Sequence, residues 1–300
     1  MGIVGPLIRY ALFPVTLGLA LFSVVWTKDA GFSVALVVGL ASFIGVSCVA
    51  LGEVLLPFEK EWAKNHGDVI TDILHSLLSS LLGREIFKIL WLIPLVPLAA
   101  WLAESSPVTV WPGHWPLALQ VVLAAVISEF GVYWAHRVAH EKEFFWRLHS
   151  THHSVERLYW LNAGRDHPLG VLWIYTMEFV PLILLGCPEL VMLLFFTLEA
   201  VHGLFQHGNI DVRLGPLNWI FSGPDLHRWH HSSVIEESNK NYGATLICWD
   251  ILFGTRFLPD DRRFPAELGI PQIPTFPKTF LGQLRVPFRW VAMKQGAVLE

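Results

Sequence analysis

Histidine is the residue of this 300-residue chain best suited to chemistry, and eight of the 14 fall in two short runs. The stretch Tyr133 to Ser154, YWAHRVAHEKEFFWRLHSTHHS, holds five histidines within 18 residues. HRWHH, His227 to His231, repeats the His-x-x-His-His spacing of HSTHH. A helix turns about 100° per residue, so Glu129, Tyr133, His136 and His140 project within an arc of about 60°. His136 and His140 are then an i, i+4 pair able to chelate one metal. His149, His152 and His153 fall within about 100° of one another on a helix, as do His227, His230 and His231. His167 in RDHP and His207 in FQHGN are two further candidates. Eight to ten imidazoles exceed the six positions of one octahedral ion, so two metals are expected. The first run would supply one half of the cage and HRWHH the other. Imidazole suits iron, zinc, copper and nickel alike, so ligand type alone does not choose.

The elements that must position these residues are apolar. The chain is 53% hydrophobic and 15% charged, with mean hydropathy +0.49. About 25% charged is usual for a soluble domain. Residues 10–27 and 30–52 carry no charge, and each suits the ~20 residues of a spanning helix. Further apolar runs cover roughly 87–103 and 115–135, while 169–187 and 189–206 meet at GCPE as a helical hairpin. The fold class expected is all-α: a polytopic membrane bundle of four spans plus that hairpin, with a helical cap. Its parts are two N-terminal spans (1–52), a catalytic region (53–270) and a proline-rich C-terminal strap (271–300) read as extended. The apolar N-terminus reads as a first span rather than a cleaved leader.

Charge then orients the bundle. Of 21 Lys and Arg, only Lys28 lies between the first two spans, and the loop from Ala103 to His114 has none. The other 20 share one side if spans alternate, and the positive-inside rule makes that side cytoplasmic. Both histidine runs, and the C-terminus, belong to it. A bacterial inner membrane and an endoplasmic reticulum membrane satisfy the rule equally. Net charge is −4 without a basic tract, which argues against nucleic acid as a partner. Cys48, Cys187 and Cys248 form no CxxC pair and read as reduced thiols.

HRVAH, HSTHH and HRWHH resemble the HxxxH, HxxHH and HxxHH boxes of the fatty acid hydroxylase superfamily, which includes the sterol desaturases. EFGVYWAHRVAH, RDHPL, FQHGNI, PDLHRWHHS and NYGATLICWDILFGT are similar to further blocks of that family, in its order. The resemblance covers roughly 65 to 270. It implies a membrane-bound non-haem enzyme with two Fe ions, for which zinc can substitute in purified protein. Such an enzyme uses O₂ and two electrons to hydroxylate or desaturate a C–H position of a lipid. Its metal ligands would be His136, His140, His149, His152, His153, His227, His230 and His231, with His167 and His207 less uniformly assigned. No cytochrome b5-like His-Pro-Gly-Gly motif is present, so electrons would come from a separate donor of ferredoxin or cytochrome b5 type with its reductase.

Each ligating ring needs an acceptor for its other N–H. Glu129 is the first candidate, followed by Asp166, Asn209, Asn241 and Asp250. Glu141 can instead ligate, as the likeness to ether-lipid-cleaving monooxygenases suggests. Glu129, Glu178 and Glu199 lie at membrane depth, where charges are costly. Glu199, His202 and Gln206 share one helical face, as a substrate channel or a structural network. His66, His75, His114 and His202 read as structural. A metal-dependent lipid hydrolase or lyase and a metal transporter or sensor are the alternatives, the latter disfavoured because transporter ligands sit at the midplane of broken helices.

Overall fold

The computed structural model describes residues 4–105, 110–260, 264, 265 and 267–296. Helices make up the fold, and among the described residues β-pairing is confined to isolated bridges such as Phe221 with Leu246. α1 (Val4–Asp29) and α2 (Val34–Leu55) are uninterrupted apolar helices joined by a tight turn. They bury one side against later helices, while Phe22, Phe43, Leu51 and Val54 face outward. Outward-facing apolar side chains on helices of this length are what a hydrocarbon surround requires. Among the described residues, five helical segments are long and apolar enough to cross a membrane.

The third of these differs from the sequence expectation of 87–103. α3 (Val69–Leu74), α4 (Ser80–Phe87) and α5 (Ile93–Ser105) run into one another through wider π-type turns at His75–Ser79 and Lys88–Leu92. The polar residues Asp72, His75, Arg84, Glu85 and Lys88 hide this continuity from a hydropathy reading. Their partners explain why they are tolerated. Asp72 accepts from Arg165 and from Tyr159 Oη (2.6 Å), and His75 Nε2 meets Gln283 Oε1 at 2.8 Å. The first two turns thus belong to the polar cap, and the apolar remainder to the bundle.

α6 (Leu117–Glu141) carries the first histidine pair at its end, and only Lys142 separates it from α7 (Glu143–His153). α8 (Pro168–Leu184) and α9 (Glu189–His207) are the expected hairpin, with Gly186 at φ +72° in the joint. α8 is the shorter, at 17 residues. A Cβ on Gly131 of α6 would stand 1.9 Å from the carbonyl oxygen of Met177 on α8, so these two backbones touch. α1 and α9 run antiparallel with matched ends: Arg9 pairs with Asp211 (3.0 Å), and Lys28 with Glu189 (2.8 Å). Lys28 therefore lies at the end of the bundle away from the histidines, as the charge pattern requires.

The cap is short helices and irregular chain: α10 (Pro224–His230), α11 (Ile235–Ser238), α12 (Cys248–Leu252) and α13 (Phe280–Lys294). α13 corrects the extended strap expected for 271–300. The prolines that suggested extension end at Pro277, and Thr279 then caps a helix by accepting from the Gly282 N–H. Val286, Trp290 and Met293 of α13 form a core with Trp146 of α7.

Candidate metal centre

Nine imidazoles converge where α6, α7, α9 and α10 meet. Each offers one nitrogen, and these nitrogens lie within 4.8 Å of one another in two groups. The first group is His136, His140, His149, His153 and His230. The second is His152, His207, His227 and His231. Adjacency of the groups is close: the rings of His153 and His231 stack at 4.6 Å, and those of His149 and His152 at 5.2 Å.

The two boxes are therefore not separate halves of the cage. On α7 the i, i+4 pair His149 and His153 enters the first group, while His152 turns to the second. At α10 the pair His227 and His231 enters the second group, and His230 turns to the first. The reason is helical phase, since residues three apart diverge from residues four apart by about 100°. Neither group is complete without both helices.

Nitrogen spacing tests whether a cation fits. In the first group Nε2 of His136 and His149 are 2.8 Å apart, His140 and His153 3.1 Å, and His153 and His230 3.0 Å. The second group has His207 and His227 at 2.9 Å and His227 and His231 at 3.1 Å. Two nitrogens each about 2.1 Å from one ion, at a right angle, stand about 3.0 Å apart. Proton sharing alone fails to account for the first group. His230 donates its Nδ1 proton to the carbonyl of Lys240 (2.8 Å), and Nδ1 of His140 meets Asn239 Oδ1 at 3.1 Å. Their Nε2 atoms then both present lone pairs to His153, which has one proton to give. A shared cation satisfies all three, and the donor set fits it.

Acceptors behind three more rings fix the same tautomer. His136 Nδ1 donates to the Tyr242 carbonyl (2.7 Å), His152 Nδ1 to the Arg165 carbonyl (3.1 Å), and His207 Nδ1 to Asn162 Oδ1 (2.9 Å). Holding one ring nitrogen this way aims the other and raises its basicity toward a metal. Burial, with neighbouring imidazoles adding to it, keeps His149, His153, His227, His230 and His231 well below the ordinary histidine pKa. Burial pushes His152 down to about 3. Neutral imidazole is the form that ligates.

Not every expected residue joins. His167 lies outside both groups: its Nδ1 accepts from the Leu169 N–H (3.2 Å), capping α8, and its Nε2 meets the Leu284 carbonyl at 3.3 Å. Glu141 is also outside, paired with Arg137 at 2.8 Å. The five expected orienting residues bond backbone groups, and Asp250 also accepts from Thr255 Oγ1 (2.7 Å), rather than a ligating ring. Glu129 accepts from the N–H groups of Ala244 (2.6 Å), Thr245 (2.9 Å) and Leu246 (2.9 Å). Asp250 accepts from Tyr242 and Gly243, both at 2.8 Å. Asn241 bridges Leu226 and Phe257, Asn209 bonds Glu59, and Asp166 Oδ1 accepts from the His167 N–H. Glu129 and Asp250 thereby shape the segment whose Tyr242 carbonyl orients His136. The residues in direct contact, Asn162 and Asn239, were missed. Main-chain acceptors leave no side-chain signature, though NKNY beside HRWHH is polar enough to have suggested Asn239.

The shared face of Glu199, His202 and Gln206 divides. His202 packs edge-on against Phe13 at 5.6 Å, and Gln206 donates to the Ser222 carbonyl at 2.6 Å. Glu199 lines a separate cavity. Access to the centre comes from the cap, where a cavity of about 600 Å³ touches His140 and His153. Its walls include Trp146 and Trp290, with Asn239, Glu141 and Lys294 as polar groups.

Comparison with known proteins agrees with this arrangement. The sequence profile of the fatty acid hydroxylase family matches residues 121–255. The chain is 45% identical over 257 residues to an ornithine lipid hydroxylase of Rhizobium tropici, covering 81% of this chain and 73% of that protein. It is 38% identical to the alkylglycerol monooxygenase of Homo sapiens over 42% of this chain and 28% of the relative. Methylsterol monooxygenase 1 of Rattus norvegicus is 32% identical over 44% of each. No solved structure gives a significant match. With its apolar helices and paired histidine groups, this chain is an integral membrane oxidoreductase of the lipid hydroxylase type and belongs to the fatty acid hydroxylase family.

Proposed function

We propose that the two histidine groups hold two iron ions and that the enzyme hydroxylates a lipid with an amino-acid head group, of the ornithine-lipid type. The observation that carries the metal reading is the convergence of nine imidazoles, eight of them buried, with five Nε2 pairs 2.8–3.1 Å apart and five of the rings held from behind at Nδ1. Iron bound there supplies the O₂ and one-electron chemistry that acid–base side chains lack. The chain's own contribution is to aim the ligands, exclude water and seat the substrate. His140 and His153 form the inner wall of the cap cavity, so a C–H group entering it meets the first group. Substrate class follows from the relative at 45% identity.

Electrons come from a separate ferredoxin or cytochrome b5 type donor. The cap faces the cytoplasm, a placement supported by the 20 cations that share its side and by Lys28 at the other end.

Purified protein is expected to carry about two irons and, given a reductant and O₂, to add one oxygen atom to ornithine lipid, read by mass spectrometry. Full metal content and full turnover in His152→Ala would sink the metal assignment. A second reading, ether-lipid cleavage, draws on the alkylglycerol monooxygenase relatives. An alkylglycerol arm in the same assay separates the two.

A further inference from the structure

A second cavity lies away from the histidine groups. It measures about 370 Å³, within the range of small-molecule sites, and sits among α2, α4, α8 and α9 beneath the 160–164 turn of the cap. Small residues create it: Ala41 on α2 and Ala200 and Gly203 on α9 leave the wall open. A Cβ on Gly203 meets nothing within 4 Å.

The wall is mainly apolar, with the hydroxyls of Ser42, Ser76 and Thr197 among it. Three ionisable side chains, Arg84, Glu199 and Tyr175, line it together. Arg84 and Glu199 lie inside segments long and apolar enough to span, 69–102 and 189–207. Ionisable groups within such segments are expensive and mark ligand or ion pathways. Arg84 is exposed on the flank of the bundle, its guanidinium 5.9 Å over the Phe196 ring. The cavity thus offers a guanidinium and a carboxyl group together, with Arg84 opening to the flank of the bundle rather than to the cap.

We infer that this cavity binds one membrane lipid with a zwitterionic head group, its anionic group on Arg84, its ammonium on Glu199 and an acyl chain along the small-residue wall of α9. A lipid with only an anionic head group would leave Glu199 without a donor, and an uncharged one would leave Arg84 without an anion. The inference concerns binding alone and stands apart from the hydroxylase reading.

The test is lipid retention. Full-length protein is incorporated into vesicles of equimolar phosphatidylethanolamine and phosphatidylglycerol, re-extracted in mild detergent, and its bound lipids are read by native mass spectrometry. Wild-type protein should keep one phosphatidylethanolamine, favoured about tenfold over phosphatidylglycerol. Arg84→Gln and Glu199→Gln should each abolish that preference. Gly203→Phe fills the cavity and should abolish retention while metal content and melting temperature stay at wild-type values. Retention of both lipids in the vesicle ratio by wild-type protein, or undiminished retention by Gly203→Phe, would overturn the inference. Hydroxylase turnover enters none of these readouts, so failure of the proposed function leaves the result intact.

Discussion

His152 and His230 are traded between the two histidine groups: the α7 residue stands with His227 and His231, and the α10 residue stands with His149 and His153. Each helix therefore contributes ligand nitrogens to both groups. His152→Ala and His230→Ala are each expected to lower metal content in both groups, with affinity falling at least about 10-fold. Metal analysis after dialysis checks this. Loss confined to one metal per chain in both variants would mean that the groups act independently.

Asn162 holds His207 from behind and fixes its own turn by donating to the Arg157 carbonyl at 2.7 Å. Asn162→Leu removes the acceptor and should cost about 10- to 100-fold in metal affinity. Asn162→Asp keeps an acceptor at the same place and should retain most of the metal. Equal metal content in the two variants would show that the ring needs no partner.

Glu129 gathers three N–H groups of the 244–246 segment. Glu129→Gln replaces one carboxylate oxygen with a donor and leaves buried N–H groups short of an acceptor. The expected loss is about 1–3 kcal/mol in stability. Thermal unfolding in detergent measures it, and metal occupancy reads the associated slackening of the Tyr242 carbonyl behind His136.

Arg157 and Asp68 form a doubly hydrogen-bonded pair at 2.8 and 2.9 Å in the cap. Burial pushes Asp68 up, but the Arg157 hydrogen bonds and charge outweigh it and hold the carboxyl below its ordinary value. A depressed carboxyl contributes stability that is present above the unfolded pKa of about 3.9 and is lost as pH falls through the folded value. Cap stability should therefore decline as pH drops below about 4, and Asp68→Asn should flatten that part of the profile. An unchanged acid limb in the variant would assign the decline elsewhere.

Glu141 and His167 are both occupied outside the metal groups, by Arg137 and by the start of α8. Glu141→Gln and His167→Ala are expected to keep the full metal complement. A missing metal in either would restore that residue as a ligand.

The parts of the fold that sequence alone disclosed are those written in long-range regularities. Apolar runs located α1, α2, α6 and the α8–α9 hairpin, and four-residue spacing put His136 beside His140. Failures came where tertiary partners override local signals. Asp72, His75 and Arg84 look like loop residues until Arg165, Gln283 and Glu199 are seen beside them. The prolines before Thr279 concealed a helix that begins just after them. Phase within HSTHH and HRWHH put each triplet in an arc of about 100° and suggested one half of the cage apiece, whereas the crossing of α7 and α10 splits both triplets between the groups. The orienting acceptors were least legible, because carbonyls of Tyr242, Lys240 and Arg165 belong to the main chain and any residue supplies one.

The contact between Gly131 and the Met177 carbonyl gives α6 a fixed altitude. Bilayers differ in thickness, and spanning helices answer by tilting or sliding. α6 has little freedom to do either against α8, because any slip would drive a ridge of side chains into the place where their two main chains touch. His136 and His140 lie about one and a half and two and a half turns farther along the same helix, so their height is measured from a neighbouring backbone and not from the lipid. The enzyme carries its own ruler, and its metal centre should keep the same elevation in membranes of different depth.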